Sequence, residues 1–142
     1  MSKTVNWIIH LCANGIRCDC GRIENGFHPY ICNAHTHGMN QYGHLDFQLV
    51  ISLPTREISE ILNSFGLRVQ AGERFKDGDF VSGIYEDCDV RLTEFQESGR
   101  KLLRIIILDG KNRFPEEEGC DYPYVMQGVR EEDLYCKGGW TR

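Results

Sequence analysis

The chain has 142 residues, with 16 Lys and Arg against 21 Asp and Glu, for a formal net charge of −5. One domain is the expected count at this length, and 41% hydrophobic with 26% charged residues excludes wholesale disorder. The acidic balance excludes a broad nucleic-acid or anionic-membrane surface, which would need clustered Lys and Arg.

Val5, Ile8, Ile9 and Cys12 fall at i, i+3, i+4 and i+7, which predicts a short helix over residues 4–14, capped by Ser2 or Thr4 and closed by Gly15. Two extended runs, Ile16–Ile23 and Phe27–His35, flank Asn25-Gly26, the strongest short hairpin signal because both turn residues need φ > 0. A loop over Gly38–Gly43 leads into a strand over Asp46–Leu53, where Phe47, Leu49, Ile51 and Leu53 alternate with Gln48, Val50 and Ser52. Pro54 ends it. A helix follows with Thr55 as N-cap and an apolar face of Ile58, Ile61, Leu62, Phe65 and Val69; Gly66 weakens its middle.

After a turn at Lys76–Asp79, strands are predicted over Phe80–Tyr85 and Val90–Gln96. The run Leu102–Leu108 reads as a central strand buried on both faces. Gly and Pro punctuate everything beyond about residue 109, so this tail is expected to pack across the surface. Residues 1–142 thus predict a single α+β domain with an irregular tail over 109–142. Its mainly antiparallel sheet, with a barrel-like curl as one form, packs against one main helix and the short N-terminal one.

No apolar run approaches the roughly 20 residues of a membrane helix, and Met1 to Ala13 lacks the features of a signal peptide. Seven cysteines is an odd count, which favours reduced thiols and a cytoplasmic setting. No Walker loop, GxGxxG, GxSxG or HExxH occurs, so no cofactor is specified.

Three of the five histidines lie close together: His35 and His37 at a strand end, and His44 across the loop, followed by Asp46. His-x-His on a strand puts both imidazoles on one face, about 7 Å apart at Cα. That suits two ligands of one metal, with a third His or a carboxylate completing an open site. The competing reading is a loop closed by exposed polar residues. If Asn25-Gly26 is a two-residue turn, Cys18 faces Asn33, Cys20 faces Ile31 and Ile16 faces His35. Cys18, Cys20 and His35 then share a face, which permits zinc but lacks a fourth ligand; buried thiols without metal are the plainer alternative. A Cys–His nucleophilic pair is conceivable on the same inventory, without any marked oxyanion donor.

The order of these features resembles the bacterial family catalogued as domain of unknown function 4262. The corresponding pieces are Gly15, Phe27-His28-Pro29-Tyr30, Gly43-His44-Leu45-Asp46, Leu53-Pro54, Ile61-Leu62-Asn63, Gly72 and Asn112-Arg113-Phe114-Pro115 with Gly119. The family's Tyr-Thr-Val-Gly-Leu strand is Tyr30-Ile31-Cys32-Asn33-Ala34 here, its Pro-Glu after the His is Leu45-Asp46, and the Trp after the tail Pro is Glu116. The resemblance implies no activity; it directs attention to His44 and the 113–119 tail.

The expected function is a binding module for a small molecule or a protein partner. Its site is a mouth formed by Tyr30, Asn33, His35, His37, His44 and Asp46, bordered by the tail. The alternative is a metal-dependent enzyme using His35, His37 and His44, with Asp46 as ligand or general base. The sequence does not specify the partner, the ligand or the oligomeric state.

Overall fold

A computed structural model describes residues 4–15, 26–97 and 99–136. Six strands form one open sheet: β1 (Ile8–Ala13), β2 (Ile31–His37), β3 (Asp46–Ile51), β4 (Phe80–Val81), β5 (Val90–Glu97) and β6 (Arg100–Ile106). Their spatial order is β1-β2-β3-β6-β5-β4. Two antiparallel triplets therefore meet at a single parallel pairing, β3 with β6, and the sheet does not close into a barrel. The helix α1 (Thr55–Gln70) lies in the connection between the triplets and packs on β2 and β3.

The predicted apolar stripe of α1 is the one that is buried: Ile58, Ile61, Leu62, Phe65 and Val69. It meets Phe47, Leu49 and Ile51 of β3, and burying each such side chain contributes about 1.5–3 kcal/mol. Pro54 rather than Thr55 occupies the cap position. Its φ of −52° leads directly into the first turn, and its carbonyl accepts from the Ile58 N–H at 3.0 Å. At the other end Gly72 takes φ +111°, which lets the N–H groups of Gly72 and Glu73 turn back onto the Val69 and Arg68 carbonyls. The predicted central strand is β6, with Leu102, Leu103, Ile105 and Ile106 buried on both faces.

Three expectations are overturned. Residues 4–14 form no helix; Ile8–Ala13 is the edge strand β1. The same stretch also supports alternation, on a set that shares only Ile9 with the helical one. Trp7 and Ala13 are buried, Ile9 and Leu11 pack on the core, and the β-branched pair at 8 and 9 favours extension. The hairpin register is displaced as well. Asn33 pairs with Cys12, and His35 lies between His10 on one side and Gln48 on the other, so both edges of β2 are occupied. Phe27 does not open that strand but bridges Tyr135 of the tail. Asn25, Cys18 and Cys20 lie outside the described residues. Finally, the strand expected over Phe80–Tyr85 is only Phe80–Val81, since Gly83, two residues on, takes φ +90°.

The sheet's second face is unlike the first. Strand pairing aligns His10, His35, Gln48, Arg104 and Thr93 in one row across five strands. The tail covers the centre of that row, where Arg104 donates to the carbonyls of Gln127 and Val129 and stands 3.7 Å over the Phe95 ring. The segment leading into the tail is organised by Asp109. Its carboxylate accepts from the N–H groups of Lys111, Arg113 and Asp121 and from the Arg113 guanidinium, at 2.9–3.0 Å. Desolvation alone would raise its pKa. The three backbone donors and Arg113 outweigh that and hold the carboxyl far below the usual carboxylate range. Among the described residues no helix is long and apolar enough to cross a membrane.

Candidate metal centre

Pairing β1 against β2 brings a third imidazole to the His-x-His pair. His10 lies directly opposite His35, and the rings stack at 5.3 Å between centroids and 30° between planes. His37, two residues along the same face, approaches both: its ring centroid is 4.8 Å from that of His35 and 5.7 Å from that of His10. One nitrogen from each of the three lies within 4.8 Å of the others. Tetrahedral zinc with bonds of about 2.0–2.1 Å sets nitrogen–nitrogen separations of about 3.4 Å. Nε2 of His35 and Nε2 of His37 are already 3.1 Å apart. His35 is buried, while His10 and His37 are only partly covered.

A chain of buried polar groups fixes the orientation of His35. Arg104 can only donate, so the Gln48 side-chain oxygen must face its Nε, at 2.8 Å. The Gln48 amide nitrogen then faces Asn33 Oδ1 at 3.0 Å, and that oxygen also accepts from His35 Nδ1 at 3.2 Å. Nδ1 therefore carries the proton, and Nε2 is left to face Nε2 of His37. This is the support that a metal-ligating histidine ordinarily has. The four members of the relay come from adjacent strands β2, β3 and β6, so the register that builds the sheet also sets the tautomer.

The six expected site residues do not form one mouth. Asn33, His35 and His37 belong to the arrangement just described. Tyr30 sits at the opposite end of β2, roughly 20 Å of strand from His37, with φ +62° and 69% exposure. His44 does not reach the trio. Its Nδ1 donates to the Leu45 carbonyl at 2.8 Å, its Nε2 accepts from the Phe75 N–H at 2.9 Å, and its ring stacks on Phe47. Asp46 is also committed. Oδ1 accepts from Thr36 Oγ1 at 2.8 Å and the Met39 N–H at 3.0 Å, and Oδ2 accepts from Arg100 Nη1 at 3.0 Å. His37, His44 and Asp46 do line one cleft of about 580 Å³, together with Arg100 and Lys101. The 113–119 tail does not border it; Pro115 and Glu116 line a separate hollow beside Phe95 and Gln127.

Sequence reasoning missed His10, because its contribution depends on a strand pairing that a helical reading of residues 4–14 removes. The five cysteines among the described residues are all free thiols. Cys32 is buried in β2 beside β3, where desolvation pushes its pKa up to about 11 against a lowering hydrogen bond from the Ser52 side chain. A Cys–His contact does occur, between Cys136 Sγ and His28 Nδ1 at 3.3 Å, where the tail meets the start of β2. No protein-family model, curated protein or solved structure matches the chain.

Proposed function

We propose that the protein is a metal-binding module that holds one divalent transition-metal ion, zinc in the first instance, on His10, His35 and His37. The convergence of three imidazole nitrogens within 4.8 Å carries this reading. Imidazole suits zinc, copper, iron and nickel, and three nitrogen ligands is the count used by zinc sites that admit an exogenous ligand. The Asn33–Gln48–Arg104 relay supports the reading independently, since it keeps the proton of the most buried member on Nδ1 and leaves its Nε2 facing His37. The motif resemblance to the family of unknown function adds no activity to it.

The test is competition for zinc against a chromophoric chelator, with elemental analysis of the purified protein. One equivalent of zinc is expected. His10→Ala and His35→Ala should each weaken binding by about 100-fold or more while circular dichroism shows a folded sheet. Wild-type protein that takes up no metal, or variants that bind as tightly as wild type, would overturn the proposal.

A further inference from the structure

The cleft beside the trio gives the metal a chemical preference. We infer that the bound ion takes a small oxyanion, a carboxylate or a phosphate, as its exogenous ligand, and that Arg100 and Lys101 hold the anion's outer oxygens. This inference rests on the metal reading above.

His37 is the shared element. It belongs to the trio and also lines the cleft, with Ile8, Asn40, Asp46, Arg100 and Lys101. The topology makes this unavoidable. Ile8 pairs with His37, Asp46 pairs with Leu102, and β1, β2, β3 and β6 are consecutive in the sheet, so four strand ends stand side by side. At about 580 Å³ the cleft is within the range of small-molecule sites.

Charge decides what can enter. The chain carries −5 overall, yet the cleft lining has two cations, Arg100 and Lys101, against one carboxylate, Asp46, a local balance of +1. A divalent ion on three neutral imidazoles would raise that to +3. Asp46 is already engaged elsewhere, because three donors hold its two oxygens. The same bond works in the other direction on Arg100. One Nη1–H donates to Asp46, its side chain is only 34% exposed, and a planar guanidinium held by one corner presents its remaining donors at a fixed angle. Carboxylate and phosphate match that fork, whereas a neutral ligand gains weaker bonds from it and a cationic one is repelled. Lys101 supplies a second charge at the rim, shared with Glu94 at 3.6 Å.

The experiment uses protein loaded with Co²⁺, whose visible absorption reports the ligand set, titrated separately with acetate, inorganic phosphate and neutral imidazole. Saturable spectral change with acetate or phosphate is expected in wild type. Arg100→Gln and Lys101→Gln should weaken the oxyanion response, Arg100→Gln by about tenfold or more, with cobalt and imidazole affinity unchanged. If Arg100→Gln fails to fold through loss of its Asp46 bond, Lys101→Gln, whose side chain is 62% exposed, carries the comparison. Loaded wild-type protein that ignores both oxyanions, or variants that weaken imidazole and oxyanion alike, would overturn the inference while leaving the metal site standing. Failure to bind cobalt at all would remove the metal reading and this inference with it.

Discussion

Both ring nitrogens of His44 are occupied by backbone, and that decides between two roles which its position leaves open. A histidine whose Nδ1–H donates to Leu45 and whose Nε2 accepts from Phe75 ties the loop before β3 to the segment after α1. His44→Ala would strand the Phe75 N–H and remove a ring stacked on Phe47, at a cost of about 1–3 kcal/mol. We therefore expect a melting temperature several degrees lower with zinc affinity unchanged; a variant that melts like wild type but loses zinc would reverse the assignment. Asn33 has the opposite profile. Asn33→Leu removes the acceptor that fixes His35 and should cost about 10–100-fold in zinc affinity, while Asn33→Asp keeps the acceptor and should restore it. At this scale the sequence was partly legible. His35 and His37 follow from spacing alone, because a strand places i and i+2 on one face. His44 and Asp46 carry the right atoms, but which backbone groups consume them depends on folds of the chain that spacing does not encode.

Among the elements, α1 was readable because its stripe is long and strictly periodic, and the helix face that it predicts is the buried one. β1 was not, since the stretch around Ile8 and Ile9 supports either period on two residue sets that share only Ile9, and tertiary pairing makes the choice. Gly66 shows the same limit in a single residue. Helix propensity alone marks it as a weakness costing about 1 kcal/mol relative to Ala. The fold shows why it is there: a Cβ at that position would lie 2.4 Å and 2.6 Å from two atoms of the Trp7 indole. Trp7 is buried against α1 and donates from Nε1 to Asn63 Oδ1 at 2.9 Å, so it has little room to retreat. The steric term exceeds the propensity term. Gly66→Ala should destabilise the protein by about 1–3 kcal/mol in denaturant unfolding. In a Trp7→Leu background the same change should be neutral or mildly stabilising; equal effects in both backgrounds would show that the indole is not the obstacle.

Across the whole molecule, the two sheet faces divide the work: the apolar face packs on α1, and the polar row on the other face is bridged by the tail. Sequence periodicity announces the first of these and is silent about the second, because the tail has no period and its anchors are single polar atoms such as the Gln127 and Val129 carbonyls on Arg104. The Asp109 carboxylate is the anchor with a measurable signature. Its folded pKa lies well below the ordinary value of about 3.9, so it contributes stability that is fully present above that pH. The contribution falls away as pH drops towards the folded value, because the unfolded chain then binds a proton that the native nest excludes. Asp109→Asn keeps the side chain's shape but replaces one acceptor oxygen with a donor, opposite N–H groups that can only donate. The variant should thus be less stable than wild type at pH 7. Thermal melts of both proteins in steps from pH 7 to pH 2 should show a constant gap down to about pH 4 that narrows below it. A gap that widens on acidification, or that is absent at neutral pH, would mean that the carboxylate does not organise the tail in its charged form.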